Sequence, residues 1–305
     1  MRQDPPRFRE PDSSAGGASP LTPLHVDALL ANPHFAQARS VHFEAMLAMH
    51  RATALLGQTL QDMGRLVLHG LVLGLYAREM AGGAAEELTV GRLRDAFAPF
   101  LLGSPRHFDR LLARMHDTGL IALAPGETDR RQRLVRPTEQ MLQVDRVYMT
   151  AQLQVLAVLF PDGPWRPELA SDRAFQLAQR SAAIQANAAN AGKFASQDPA
   201  LVLFSRAHGI QILFLYVQAA DRSASGNHAR LSFEAAGHAV LTSRTHVRNL
   251  LVDAQASGLV QLHGTGGVDV EILPALRHSI DLCIAEGLVQ LDFACRLALL
   301  SLGRS

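Results

Sequence analysis

An internal repeat at a constant offset constrains this chain more than any other feature. His69-Gly70-Leu71 recurs as His208-Gly209-Ile210, and Ser104-x-x-His107-x-x-x-Leu111-Leu112 recurs as Ser243-x-x-His246-x-x-x-Leu250-Leu251. Gly119-Leu120-Ile121 recurs as Gly258-Leu259-Val260, so the three blocks share one spacing of 139 residues (69 to 208, 104 to 243, 119 to 258). Pro137 and Pro274 follow the last block of each half, two residues out of that register. Blocks held in one register read as a tandem duplication, whose units bury their apolar faces against each other. The copies are assigned to residues 34–160 and 168–305, with a linker at 161–167 around Pro161-Asp162-Gly163-Pro164. Residues 1–33, rich in Pro, Ser, Gly and mixed charge, are expected to be a disordered tail with no secretory signal.

Helical periodicity runs through most of the chain. Phe43, Met46, Leu47 and His50 fall on one stripe, as do Ile210, Phe214 and Val217. In the first copy Leu88-Thr89 opens a short helix reaching about Phe97, and Ser104 (N-cap) with Pro105 (first turn) opens a second. Phe108, Leu111, Leu112 and Met115 form its apolar face and leave Arg106, His107, Arg110 and Arg114 outward. Gly119 ends the helix. Leu120 to Leu123 and Arg133 to Arg136 then read as two strands around a polar turn containing Asp129, Arg130 and Arg131. The second copy repeats this order: Ser243 caps a helix with Val247, Leu250, Leu251 and Ala254 inward and Arg244, Thr245, His246, Arg248 and Asn249 outward. A shorter hairpin without arginine follows, from Leu259 to Ile272. The fold expected is mainly α with small β-hairpins: two winged helix-turn-helix domains joined by long helices.

The run Asp129-Arg130-Arg131-Gln132-Arg133-Leu134-Val135-Arg136-Pro137-Thr138-Glu139 resembles the wing of the MarR family of bacterial transcriptional regulators. Ser104 to Ile121 is similar to that family's recognition helix and the strand start after it. The resemblance covers about residues 88–145 and is weaker over the second copy, which lacks the acidic-arginine wing. Members of the family work as dimers, so the resemblance implies a pseudo-dimer carried in one chain.

The chemistry expected of such a chain is sequence-specific binding of double-stranded DNA. A reading helix needs short or fork-shaped polar side chains opposite its anchored face, and an arginine bidentate to guanine contributes about 1–3 kcal/mol of discrimination. Ser104, Arg106, His107, Arg110 and Arg114 are the candidates in the first copy, with Ser243, Arg244, Thr245, His246, Arg248 and Asn249 in the second. Arg130, Arg131 and Arg133 suit the minor groove or its flanking phosphates, and Asp129 suits the orientation of a neighbouring arginine. Because the two faces differ, the expected target is an imperfect palindrome. A protein-interaction scaffold in a chromosome-organising complex and a replication initiator are the alternative uses of paired winged helices. Whether the second copy binds DNA, whether a small-molecule effector exists and whether the pseudo-dimer dimerises further stay open.

No metal site, cofactor or catalytic activity is expected. His42 and His50, two helical turns apart, and the repeated His-Gly lack the acidic or cysteine companions of a metal motif, and close helix packing is the reading for His69-Gly70 and His208-Gly209. Cys283 and Cys295 lie about 120° apart on one helix and do not pair there. A cytoplasmic, nucleoid-associated protein with no membrane span is expected. The balanced total, 29 Lys and Arg against 28 Asp and Glu, excludes a polybasic coat but hides an asymmetry. Residues 104–136 carry seven arginines against four acids, whereas 243–273 carry two against three.

Overall fold

The computed structural model describes residues 24–52, 55, 57, 61–82, 87–126, 131–194, 198–264 and 268–304, with backbone alone for 185–194. The chain is mainly helical, with two small antiparallel sheets. Its first half contains α1 (Val26–Leu30), α2 (Phe35–Ala52), α3 (Met63–Gly82), α4 (Val90–Phe97), α5 (Pro105–Asp117), the hairpin β1 (Ile121–Pro125) and β2 (Arg133–Pro137), and α6 (Glu139–Leu159). A 3-10 turn at Pro167–Ser171 leads to α7 (Arg173–Phe194), α8 (Pro199–Phe204), α9 (Gly209–Asp221) and β3 (His228–Ala229). The chain then forms α10 (Phe233–Ala239), α11 (Arg244–Ala256), β4 (Val260–His263), β5 (Asp269–Ile272) and α12 (Pro274–Ser301). Among the described residues no helix is long and apolar enough to cross a membrane.

Polar caps place the short helices. The side chains of Thr89, Ser104, Thr138, Ser232 and Ser243 each accept a hydrogen bond from the backbone N–H three residues on, which satisfies one of the donors that a helix start leaves open. Helices α5 and α11 have the same length, 13 residues, and each ends before a glycine in the left-handed region, Gly119 at φ 74° and Gly258 at φ 71°. The strand after each glycine begins with a buried residue, Ile121 or Val260, followed by an exposed one, Ala122 or Gln261. In the first sheet Leu123 pairs with Val135; the second has the order β3-β5-β4, with Leu262 opposite Val270.

The apolar cores do not divide where the sequence repeats. One core joins Leu68, Leu71 and Val72 of α3 to Leu93, Phe97, Phe108, Leu111, Leu112, Val135, Met141 and Leu142; its buried residues all come from the first copy, with Leu177 and Ile184 of α7 packed against them. The larger core takes α2, through Phe43, Met46 and Leu47, away from that copy and buries it with the end of α6 and nearly the whole second half. Helix α7 lies between α3 and α12, so the first helix of the second copy is wedged against the first. The expected tail also ends earlier than assigned, because Leu29 of α1 is buried and α1 packs on α12. Only four apolar residues larger than alanine (Leu24, Val26, Leu29 and Leu30) stand between Pro23 and Pro33, too short a stretch for periodicity to reveal.

The repeated His-Gly adopts two conformations. In α3 the helix runs straight through His69-Gly70, and a Cβ on Gly70 would meet nothing within 4 Å. In the second half the helix is broken: α8 ends at Phe204, His208 sits at φ 60°, and α9 restarts at Gly209. A Cβ on Gly209 would lie 1.9 Å from the Leu203 carbonyl oxygen, so that close approach requires glycine. Close packing therefore explains Gly209 and leaves Gly70 unexplained.

Candidate nucleic-acid interface

Helix α5 buries Phe108, Leu111, Leu112 and Met115 and exposes Arg106, Arg110 and Arg114, the division its periodicity predicts. Helix α11 buries Val247, Leu250, Leu251 and Ala254 and exposes Arg244, Thr245, Arg248 and Asn249. Each helix follows a short helix, α4 or α10, through a turn containing a left-handed leucine. Leu101 (φ 53°) and Leu241 (φ 58°) are both exposed, at 67% and 66%. The pair escaped the sequence comparison because it stands 140 residues apart (101 to 241), one out of register.

Both histidines assigned to the outward faces turn inward. His246 Nε2 pairs with the Ala207 carbonyl at 2.6 Å, and its ring stands 6.0 Å from that of His208. His107 is half-buried over Gly103, where a Cβ would lie 2.6 Å from the ring, and lies beside Gly64. Both occupy the third position after the cap, where the side chain leans back toward the preceding turn and finds the body of the protein there. The capping serines are exposed, but each hydroxyl already accepts a backbone N–H, at 3.3 Å for Ser104 and 3.1 Å for Ser243.

The residues of the first hairpin divide. Arg130 and Asp129 lie outside the described residues. Arg131 and Arg133 are exposed at the start of β2. The ordering of an arginine by an acid appears elsewhere: Asp109 of α5 holds Arg94 of α4 at 2.8 Å, with the guanidinium 5.4 Å above the Phe108 ring. The second sheet presents a face of His228, His263, Asp269 and Glu271, paired His228 to Asp269 and His263 to Glu271 at 2.9 Å each. The hydrogen bond from His228 holds the Asp269 carboxyl below its usual range. That face offers acids where the first wing offers arginines.

The free positive charge is localised. Among the described residues, Arg106, Arg110, Arg114, Arg133, Arg230, Arg244 and Arg248 are the guanidinia that form no hydrogen bond or ion pair. The others are occupied, for example Arg39 with Asp221 and Asp281, Arg222 with Glu44, and Arg173 with Glu139. All seven free groups lie on or beside α5, α11 and the two sheets. Arg230 went unnoticed in the sequence because it precedes the second helix pair, outside any repeated block.

Two buried polar clusters fix these elements to the body. Asp145 of α6, fully buried, receives Arg180 of α7 at 2.6 Å and the Gln176 amide at 2.8 Å, with His69 Nε2 3.4 Å away. Burial raises its carboxyl, but the Arg180 guanidinium and His69 outweigh that and hold it far below the ordinary carboxylate range. On the other side His208 lies between His50, with ring centroids 5.3 Å apart, and His246. Gln61 reaches His208 Nε2 at 2.9 Å, while His50 and Arg51 bond the carbonyls of Val240 and Ala239 in the α10–α11 turn. Burial, then the His50, His246 and Arg65 charges, pushes His208 down to about 4. Among the described residues no three His, Cys, Asp or Glu side chains stand close enough to hold a metal ion. Beside the first cluster lies a largely apolar cavity of about 300 Å3, whose lining includes His69 and Arg180 together with His42, Gln179 and Gly287.

No family model, curated protein or solved structure matches this chain.

Proposed function

We propose that the chain is a DNA-binding transcriptional regulator in which two MarR-like winged helices form a pseudo-twofold pair within one polypeptide. The observation that carries this reading is the collection of unpaired guanidinia on α5, α11 and the sheets, in a protein whose other described arginines are engaged. Unpaired guanidinium forks match phosphate oxyanions and the O6/N7 edge of guanine, which a point charge does not. Arg106 and Arg110 on α5 lie one turn apart and read base edges, while Arg131 and Arg133 hold the flanking backbone. On α11, Arg244, Thr245, Arg248 and Asn249 offer a second and weaker head beside an acidic sheet. The target is accordingly an imperfect palindrome with one dominant half-site. Localisation with the nucleoid follows from that role.

Quantitative footprinting on genomic fragments tests the reading. Arg106→Ala with Arg110→Ala is expected to cost about 1–3 kcal/mol per lost base contact and to relax preference in one half-site. Alanine at Arg131 and Arg133 is expected to weaken all sequences alike and to lower the salt slope by about one per phosphate contact. A strictly symmetric preferred site contradicts the pseudo-twofold arrangement. Absence of duplex binding at low salt refutes the regulator and leaves the protein-interaction scaffold, and sites clustered at a replication origin would identify an initiator.

A further inference from the structure

Beside the reading helix, the start of α4 and the root of the first wing enclose an open cleft of about 640 Å3. Arg92, Arg94, Arg131 and Arg133 line it together with Thr89 and Glu87. The cleft is positive: Arg131 has a partner of its own and Arg94 is held by Asp109 at 2.8 Å, which leaves Arg92 and Arg133 against the one acid Glu87. Arg92 is fixed at the rim: its Nη1 donates to the Glu87 carbonyl at 2.9 Å and its backbone N–H to the Thr89 hydroxyl at 3.2 Å. Its other guanidinium N–H groups remain available. Arg133 enters from β2 with no partner among the described residues. Two separate elements thus deliver guanidinia to one concavity, and guanidinium forks facing each other across a gap bind multidentate oxyanions more strongly than any carboxylate-lined surface could.

The second half does not repeat this arrangement. Counted from the capping residues Thr89 and Ser232, the positions of Arg92 and Arg94 are held by Ala235 and Gly237, and the strands that follow carry no arginine. The cleft is therefore not a by-product of the duplicated fold. We propose that it is a phosphate-binding site specific to the first half, taking a phosphodiester or diphosphate group between Arg92 on one wall and Arg133 on the other. The phosphate belongs either to a duplex seated on α5, a source that rests on the function proposed above, or to a free diphosphate ester.

Calorimetric titration of the full chain with inorganic pyrophosphate at low ionic strength, beside duplex binding over a salt series, separates the two sources. Arg92→Gln is the main variant, because Arg92 is exposed and outside the reading helix; circular dichroism checks that it folds. If the cleft holds free diphosphate, Arg92→Gln and Arg133→Gln each weaken pyrophosphate about tenfold, and Arg92→Gln leaves duplex affinity unchanged. If it holds the duplex backbone, Arg92→Gln lowers the duplex salt slope by about one without altering sequence preference, and pyrophosphate competes with duplex. A wild-type chain that binds pyrophosphate but no duplex removes the regulator reading and keeps the cleft. A chain that binds duplex, ignores pyrophosphate and is indifferent to Arg92→Gln overturns the cleft and keeps the regulator.

Discussion

At the scale of single residues, burial separates charges that hold the molecule together from charges available to a partner. Asp145 and Arg180 illustrate the first kind: one carboxylate, fully buried, satisfied by a guanidinium and an amide from a different helix. Removing one member of such a pair strands the other without water. Asp145→Asn is expected to cost about 3–5 kcal/mol, read as a lower urea midpoint at pH 7, because Arg180 then stays charged with no counter-ion. Arg106, Arg110, Arg244 and Arg248 illustrate the second kind, and their outward placement followed from the apolar residues on the opposite helix face. The inward turn of His107 and His246 did not. Imidazole is apolar enough to be buried and polar enough to be exposed, so helical position alone does not decide its fate.

At the scale of elements, α5 and α11 are the most alike parts of the repeated sequence. Each has a serine cap, a four-residue apolar face and a left-handed glycine after its end, all visible as a pattern of residue types. Ser104→Ala and Ser243→Ala are each expected to lower stability by about 1 kcal/mol in chemical denaturation, since each frees one backbone N–H at a helix start. The turns before the helices were harder to read. Leu101 and Leu241 take a backbone conformation that favours glycine, and an exposed leucine carries no signal of that choice. Their shared geometry emerges only when the turns are compared as structures. The hairpins lie between these extremes: the strands containing Leu123 and Leu262 fall where expected, although only the one containing Leu262 alternates in burial, whereas β3, two residues long, has no periodicity to detect.

At the scale of the whole molecule, the copies are held by buried histidines as well as by apolar packing. Burial pulls His42 down to about 4, against the weaker upward pull of a hydrogen bond with Gln152, and His208 lies at about 4, where the unfolded value is 6.5. The unfolded chain therefore binds more protons than the folded one between those limits. Stability is fully present above pH about 6.5 and is expected to fall as pH drops toward 4, seen as a decreasing denaturation midpoint over that range. His208→Asn, which tolerates the left-handed backbone, is expected to reduce this pH dependence. Readable from the sequence alone are the repeat, the mainly helical class and the faces of α5 and α11. Those depend on local spacing, capping and periodicity, which are properties of a dozen neighbouring residues. Only the tertiary structure decided that α2 joins the second core, that α7 wedges between the halves, and that one His-Gly continues a helix while the other breaks it. Those outcomes turn on which surfaces meet across more than a hundred residues: Gly209 against the Leu203 carbonyl, His208 against His50 and Gln61. Two copies of one motif can share every local preference and still differ, because each packs against the other and neither packs against itself.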